Sequence, residues 1–140
     1  WLQVLMLHDL GQDLQDGRVK ALVELSLRRA RACELLAKYK RKPNKDEYFL
    51  TGMFSLFDAV MRRKWEDILP LLSLSDVIMD TLNGKQTEMS PYMELIESVG
   101  RFEWETVERL SRELAIPKKE LSDIFLQALR WSHGIEDEMN

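Results

Sequence analysis

His8 and Asp9 are the residues of this sequence best suited to metal chemistry. An adjacent His and Asp, followed by Gly11, could supply two ligands to an ion that activates water and holds a phosphate oxygen. The pair lies where a predicted helix runs into a glycine-flanked loop. We therefore favour the interpretation that the two side chains are exposed in a loop and bind no metal. The only other histidine, His133, lies near the far end of the sequence. Metal binding through His8 and Asp9 therefore remains the alternative.

Two polar residues within a very apolar segment, 49–61, are further candidates. Asp58 could be a metal ligand, but a residue four positions before Arg62 more often forms a surface ion pair. Ser55 lies beside a row of small residues, where a serine hydroxyl usually hydrogen-bonds its own helix backbone. A remnant ligand pocket around Ser55 remains the alternative.

Basic residues are concentrated between positions 28 and 45. Eight of them against one acid, Glu34, give this stretch a charge of +7 in a chain whose net charge is −4. A solvated helix face and loop explain such a stretch most simply, but the asymmetry could also attract an acidic partner or ligand. The residues assigned to a possible anionic-partner cluster are Arg28, Arg29, Arg31, Lys38, Lys40, Arg41 and Lys42.

Composition and charge limit the classes of protein to which the chain can belong. Its 140 residues fit one domain, and 45% hydrophobic with 31% charged residues is ordinary for a soluble protein. A net charge of −4 argues against general nucleic-acid binding. The single cysteine, Cys33, cannot form an internal disulfide, which favours the cytoplasm. No apolar run approaches the roughly 20 residues that span a bilayer.

Hydrophobic periodicity predicts an all-α protein. Apolar residues recur at spacings of three and four, and glycine or proline follows most of these segments, with Gly84 and Gly100 as predicted helix stops. The predicted helices are 1–10, 18–41, 45–62, 65–72, 76–82, 88 or 90 to 99, 103–114 and 118–131. We assign residues 1–135 to a single helical domain and 136–140 to an acidic tail.

Small residues on two of these helices indicate close packing between them. They recur on one face of each helix: Ser26, Ala30, Cys33 and Ala37 on the first, Gly52, Ser55 and Ala59 on the second. A glycine in a helix interior is about 1 kcal/mol less favourable than alanine, a penalty that close approach would offset. We predict that Gly52 or Ala59 contacts Ala30 or Cys33.

Two further predictions concern burial. Cys33 should be a buried, inert thiol, because it lies on the small-residue face. Of the four tryptophans, Trp65, Trp104 and Trp131 should belong to the core, whereas Trp1 is excepted because we expect its natural neighbours to be missing.

Three segments together resemble the HDOD domain, a bacterial signalling relative of the HD phosphohydrolases. They are ALVELSLRRARACELLA (21–37), FLTGMFSLFD (49–58) and LPLLSLS (69–75). The run Ala128-Leu129-Arg130-Trp131 is similar to the end of the helical segment in proteins that join an EAL domain, the cyclic di-GMP phosphodiesterase type, to an HDOD domain. The resemblance covers nearly the whole chain and implies an HD-like bundle of about seven to eight helices.

The resemblance also implies a degenerate metal site. HD enzymes bind metal through a His on one helix, an adjacent His-Asp pair on a later helix, and a further Asp. Here Ser55 and Leu56 stand at the position of the pair, and the earlier His falls near Leu25 or Ser26. Because none of these side chains is a good metal ligand, the resemblance implies no catalysis, no metal and no cofactor.

We therefore expect a non-catalytic regulatory or interaction domain of a bacterial signal-transduction protein, linked to cyclic di-GMP signalling in the cytoplasm. The implied partner is an EAL-type domain, in the same polypeptide or in another signalling protein. Two alternatives remain open. One is a divergent metal-dependent HD-type phosphohydrolase that uses His8 and Asp9, and the other is a helical adaptor that binds an anionic ligand through the cluster at 28–45.

The start of the chain leads to a further expectation. It opens without Met on apolar residues 1–7, as if inside a helix, so we expect the first helices of the family to be missing and the bundle to be truncated there. Exposed apolar patches promote association, so we also expect a homodimer.

Overall fold

Helices account for all regular structure in the described part of the chain. The computed structural model describes residues 17–56 and 73–139. The helices there are α1 (Gly17–Tyr39), α2 (Lys45–Phe54), α3 (Asp76–Leu82), α4 (Ser90–Gly100), α5 (Trp104–Glu113) and α6 (Lys118–Met139). The all-α prediction is confirmed, and none of the described helices combines the length and apolar character needed to cross a bilayer. The predicted helices at 1–10 and 65–72 lie outside the described residues.

α1 and α2 form a hairpin joined by a short loop at 40–44, and they approach each other most closely at Gly52. A Cβ atom added to Gly52 would lie 2.7 Å from Cys33 Sγ and 3.0 Å from both the Ala30 Cα and the Arg29 carbonyl oxygen. The predicted contact of Gly52 with Ala30 and Cys33 is confirmed. Ala59, the other residue named in that prediction, lies outside the described residues.

Four of the described helices end in the Schellman motif, in which a residue with left-handed backbone follows the helix and two backbone N–H groups donate to carbonyls of its last turn. After α1, the Arg41 N–H donates to the Lys38 carbonyl at 3.1 Å and the Lys42 N–H donates to the Ala37 carbonyl at 2.8 Å. The left-handed residues are Arg41 (φ 57°), Gly84 (φ 87°), Phe102 (φ 60°) and Ala115 (φ 56°). α1 accordingly ends at Tyr39 rather than at the predicted Arg41.

Both predicted glycine stops mark a helix end, but only Gly84 takes the left-handed backbone. Gly84 takes the left-handed position after α3, as expected of a stop. Gly100 is instead the last helical residue of α4, and the left-handed position falls on Phe102. The Phe102 and Glu103 N–H groups bond the Val99 and Ser98 carbonyls at 3.2 and 3.0 Å, so the hydrogen bonds of the turn override the backbone preference of Phe102.

α6 continues beyond its predicted end at Trp131 and reaches Met139, so residues 136–139 of the assigned acidic tail lie within this helix. A Cβ atom on Gly134 would meet nothing within 4 Å, so this glycine imposes only a propensity penalty of about 1 kcal/mol. Packing on the hairpin favours the continuation. The ring of Trp131 lies 6.0 Å from that of Phe49, and Ser132 accepts a hydrogen bond from Arg28.

The remaining helices complete one core around the hairpin. Its buried side chains include Leu36, Tyr48, Ile78, Leu95, Leu110, Ile124 and Ala128. Trp104 was wrongly predicted to belong to it, because this side chain is 58% exposed and its ring contacts that of Phe102, itself 73% exposed. Trp104 is the first residue of α5, and the buried face of that helix begins only at Val107. Trp131 is half-buried, and Trp1 and Trp65 lie outside the described residues.

Gly52→Ala is expected to destabilise the domain, because its Cβ atom would overlap Cys33 Sγ and press on the α1 backbone. Overpacking a filled core typically costs about 1–3 kcal/mol, which exceeds the gain of up to about 1 kcal/mol in helix propensity. Urea unfolding followed by circular dichroism measures the difference.

Gly134→Ala is the matched control, because the same change in α6 meets no atom and should be neutral or stabilising. Cys33→Ala in the Gly52→Ala background should recover part of the loss by removing the closest atom. Equal stability of Gly52→Ala and Gly134→Ala would contradict the close approach.

Ala115→Gly is expected to stabilise the domain by about 0.5–1 kcal/mol, because glycine adopts the left-handed backbone without the steric penalty of Cβ. Ala21→Gly, the same substitution at an exposed helical position of α1, is expected to destabilise the domain instead. Thermal melts of the two variants against the wild type test this. A loss of stability in Ala115→Gly would contradict the assigned strain.

Candidate functional site

The residues at the degenerate metal-motif positions lie at the C-terminal end of α2 and in the middle of α1. The Ser55 hydroxyl donates to the Gly52 carbonyl oxygen at 2.7 Å, as predicted for a serine that bonds its own helix. Ser26, in α1, likewise donates to the Leu22 carbonyl at 2.9 Å. Leu56 is half-buried and Leu25 is 37% exposed. This part of the hairpin thus combines internally bonded hydroxyl groups with aliphatic side chains.

The described residues contain no group of three or more His, Cys, Asp and Glu side chains placed to hold a metal ion. His133 is exposed on α6, with Nε2 3.4 Å from Glu24 Oε1. His8 and Asp9, the alternative metal pair, lie outside the described residues, as do Asp58 and Arg62.

Cys33 is fully buried, in agreement with its predicted character. Its Sγ lies 3.7 Å from the Met93 sulfur and faces Gly52. Burial raises the pKa of the Cys33 thiol far above its usual range, and the nearby Arg29 charge opposes this only in part. Because the thiolate is the reactive form, the thiol should be inert in the folded protein.

The basic residues at 28–45 differ in their surroundings. Four are held by neighbouring groups of the domain. Arg28 Nη2 lies 2.7 Å from Glu24 Oε1, Arg31 pairs with Glu34, Lys40 Nζ donates to the Leu114 carbonyl at 2.8 Å, and Lys42 Nζ lies 4.0 Å from Glu88 Oε2. Lys38 and Arg41 are exposed at the loop end of α1, whereas Arg29 lies within the helix.

Two of the held cations also lie over aromatic rings. The Arg31 guanidinium is 5.7 Å from the centre of the Trp131 ring, and Lys42 Nζ is 5.9 Å from that of Tyr92. Such contacts each contribute about 0.5–1 kcal/mol at partly exposed sites. These two residues therefore attach α1 and its loop to α6 and α4.

Arg28 and Arg29 also line a groove of about 230 Å³ formed by α1, α4 and α6. Its other lining residues are Leu25, Ile96, Val99, Gly100 and Phe125. The basic pair was among the predicted partner residues, but the apolar walls were not. They come from three helices far apart in sequence, and no spacing rule connects them.

A larger concavity of about 470 Å³ lies at the junction of α5 and α6. Its rim carries Glu108 and Lys118, whose Nζ donates to Glu108 Oε1 at 3.0 Å and lowers the pKa of that carboxyl. The Ser111 hydroxyl is buried nearby without a hydrogen-bond partner. Glu108 and Lys118 pair with each other, and Arg112 is a further cation of the lining.

The fold defines an all-α class of protein, and the chain is similar in sequence to proteins of two bacteria. The chain is 33% identical over 137 residues to the uncharacterized protein YuxH of Bacillus subtilis, covering 98% of this chain and 33% of that protein. It is 31% identical over 123 residues to the cyclic di-GMP phosphodiesterase CdgJ of Vibrio cholerae, covering 87% of this chain and 28% of that protein. The chain thus spans a third or less of the length of these curated relatives. No family model matches the chain, and no solved structure matches it.

The Cys33 thiol is expected to react with a thiol reagent only when the domain opens, so native protein should be labelled orders of magnitude more slowly than protein in urea. Its raised pKa also affects stability. The unfolded thiol ionises from about pH 8.5 while the folded thiol stays protonated, so this stabilisation is complete below that pH and declines above it.

The free energy of unfolding should fall by up to about 1.4 kcal/mol per pH unit above the unfolded pKa. Urea titrations of the wild type and of Cys33→Ala between about pH 7.5 and 9.5 test this, below the range where tyrosines ionise. Equal slopes in the two proteins would contradict the assignment.

Proposed function

We propose that this chain is a non-catalytic regulatory domain of HDOD type in a bacterial signal-transduction protein that acts in cyclic di-GMP signalling. It would transmit or receive a signal by packing against another domain, and the partner implied by the resemblance is an EAL-type domain in the same polypeptide or in another protein. Its place of action would be the cytoplasm.

The observation that carries the proposal is the use of the metal-motif positions for packing. The Ser55 hydroxyl donates its hydrogen bond to the Gly52 carbonyl, and Gly52 itself lies against Ala30 and Cys33. A metal at this turn would need polar ligands and space between α1 and α2. Instead, the helices are in contact one turn away, and Ser55 and Leu56 offer no strong ligand. This arrangement suits a rigid interaction domain better than a hydrolase.

The similarity to CdgJ supports the assignment to a pathway. CdgJ is named for cyclic di-GMP phosphodiesterase activity as a whole protein, and the matched segment is 28% of it. A segment of this size is compatible with a separate domain that accompanies the enzyme, since domains typically contain about 50–250 residues. The partner and the pathway are therefore inferred from that relative and from the resemblance.

The proposal predicts that loosening the α1–α2 hairpin changes the rate of a reaction performed elsewhere in the assembly. Hydrolysis of cyclic di-GMP is to be measured for the natural full-length protein, alone and with its EAL-type partner if that is a separate chain. Gly52→Ala should change the rate by about fivefold or more, the lower range of allosteric coupling. Gly134→Ala is the control, and it should leave the rate unchanged. An unchanged rate in Gly52→Ala would argue against regulation by this domain.

A metal comparison within the same experiment separates the proposal from the phosphohydrolase alternative. The transition-metal content and the Mn²⁺-dependent phosphodiester hydrolysis of His8→Ala should equal those of the wild type. Loss of one tightly bound metal per chain, together with loss of activity, in His8→Ala would overturn the non-catalytic assignment. If His8→Ala retains phosphodiester hydrolysis, that activity does not depend on the pair His8 and Asp9.

A further inference from the structure

The groove formed by α1, α4 and α6 combines apolar walls with a cation, Arg29, that has no partner among the described residues. Leu25, Ile96, Val99 and Phe125 form the walls, and Leu25 is 37% exposed. Val99 and Phe125 are half-buried and Ile96 is buried, so the walls form an apolar lining that suits an apolar side chain from outside.

Arg29 gives this groove its charge. Its neighbour Arg28 is paired with Glu24 and donates from Nε to Ser132 Oγ at 3.2 Å, so that cation is already neutralised. Arg29 is half-buried, and within residues 17–56 and 73–139 it has neither an ion pair nor a hydrogen bond from its guanidinium. A partly buried guanidinium normally finds a carboxylate, because removing its charge from water is otherwise unfavourable.

Gly100 leaves one side of that guanidinium open. A Cβ atom added to Gly100 would have Arg29 Nη2 as its nearest neighbour, at 3.9 Å. Since glycine has no side chain, the space beside Nη2 is available to a group from outside. Gly100 is the last residue of α4 and has no left-handed backbone, so other residues fit there without strain.

We propose that this groove binds an acidic amphipathic helix of a partner protein. One apolar side chain of that helix enters between Leu25, Val99 and Phe125, and a carboxylate one turn away bonds the Arg29 guanidinium beside Gly100. A groove between packed helices accepts side chains spaced at three and four residues, which is the mode by which helices dock in grooves. The inference rests on the proposed regulatory function, because it names the surface through which such a domain would contact its partner.

A phage-displayed library of amphipathic helices, randomised at its polar positions and selected on the natural full-length protein, tests the proposal. Enriched helices should carry Asp or Glu three or four residues from an apolar anchor. Synthetic peptides of these sequences, measured by fluorescence anisotropy, should bind Arg29→Gln about 10–100-fold more weakly, the loss expected for a charge-assisted hydrogen bond. Arg29→Lys should retain part of the affinity.

Gly100→Glu provides a second, independent variant. Its carboxylate would occupy the open side of Arg29 and should weaken the peptides by a similar factor, without disturbing the core. The matched control is Gly134→Glu, the same substitution at an exposed glycine of α6 with no atom nearby. Arg112→Gln, which removes an exposed cation of α5, is the control for charge. Both controls should bind as the wild type does.

Three results would overturn the proposal: enriched helices without an acidic preference, equal binding to Arg29→Gln and the wild type, or no enrichment at all. If the wild-type protein self-associates and Gly100→Glu does not, the proposal is also overturned, because a second copy of the chain would then occupy the groove. These outcomes are distinct from failure of the proposed function, which is measured by cyclic di-GMP hydrolysis in Gly52→Ala. If Gly52→Ala changes the hydrolysis rate but the selected helices show no acidic preference, only the proposal for the groove is refuted.

Discussion

At Gly52 two helices come so close that no side chain fits between them. This contact joins Gly52 to the Ala30 and Cys33 turn of α1 and fixes how α1 and α2 lie against each other. The other described helices add to the hairpin so defined, with α6 packed along α1 and α4 against the same helix. The groove beside Arg29 therefore depends on the position of α1, since the Arg29 carbonyl oxygen itself lies at this contact.

The same contact limits what chemistry this region can perform. Reactive sites need polar groups that remain available to a ligand, whereas Ser55 and Ser26 both donate to carbonyls of their own helices. Burial keeps the neighbouring thiol of Cys33 protonated. What the surface offers instead is shape and charge around Arg29, which suits recognition of another protein.

Local patterns predicted those features that depend on residues close in sequence or on one helix face. The small-residue spacing predicted the Gly52 contact and the burial of Cys33, because both follow from helical geometry. α4 ends at Gly100 as predicted, but the left-handed residue after it is Phe102, which a hydrogen-bonded turn holds in a conformation that its own preference would not select. Trp104 was misassigned because periodicity indicates a face but not where its burial begins. The groove at Arg29 could not be predicted, because its walls come from three separate helices.

The left-handed residues at the helix ends have a consequence for the stability of the domain. Arg41, Phe102 and Ala115 all hold a backbone that disfavours side chains by about 1–2 kcal/mol each. Together this is a substantial fraction of the roughly 5–15 kcal/mol that separates a folded domain from its unfolded chain. The strain lies in the connections and not in the core. Relief of one connection by about 1.4 kcal/mol would raise the ratio of folded to unfolded domain tenfold without any change to the core.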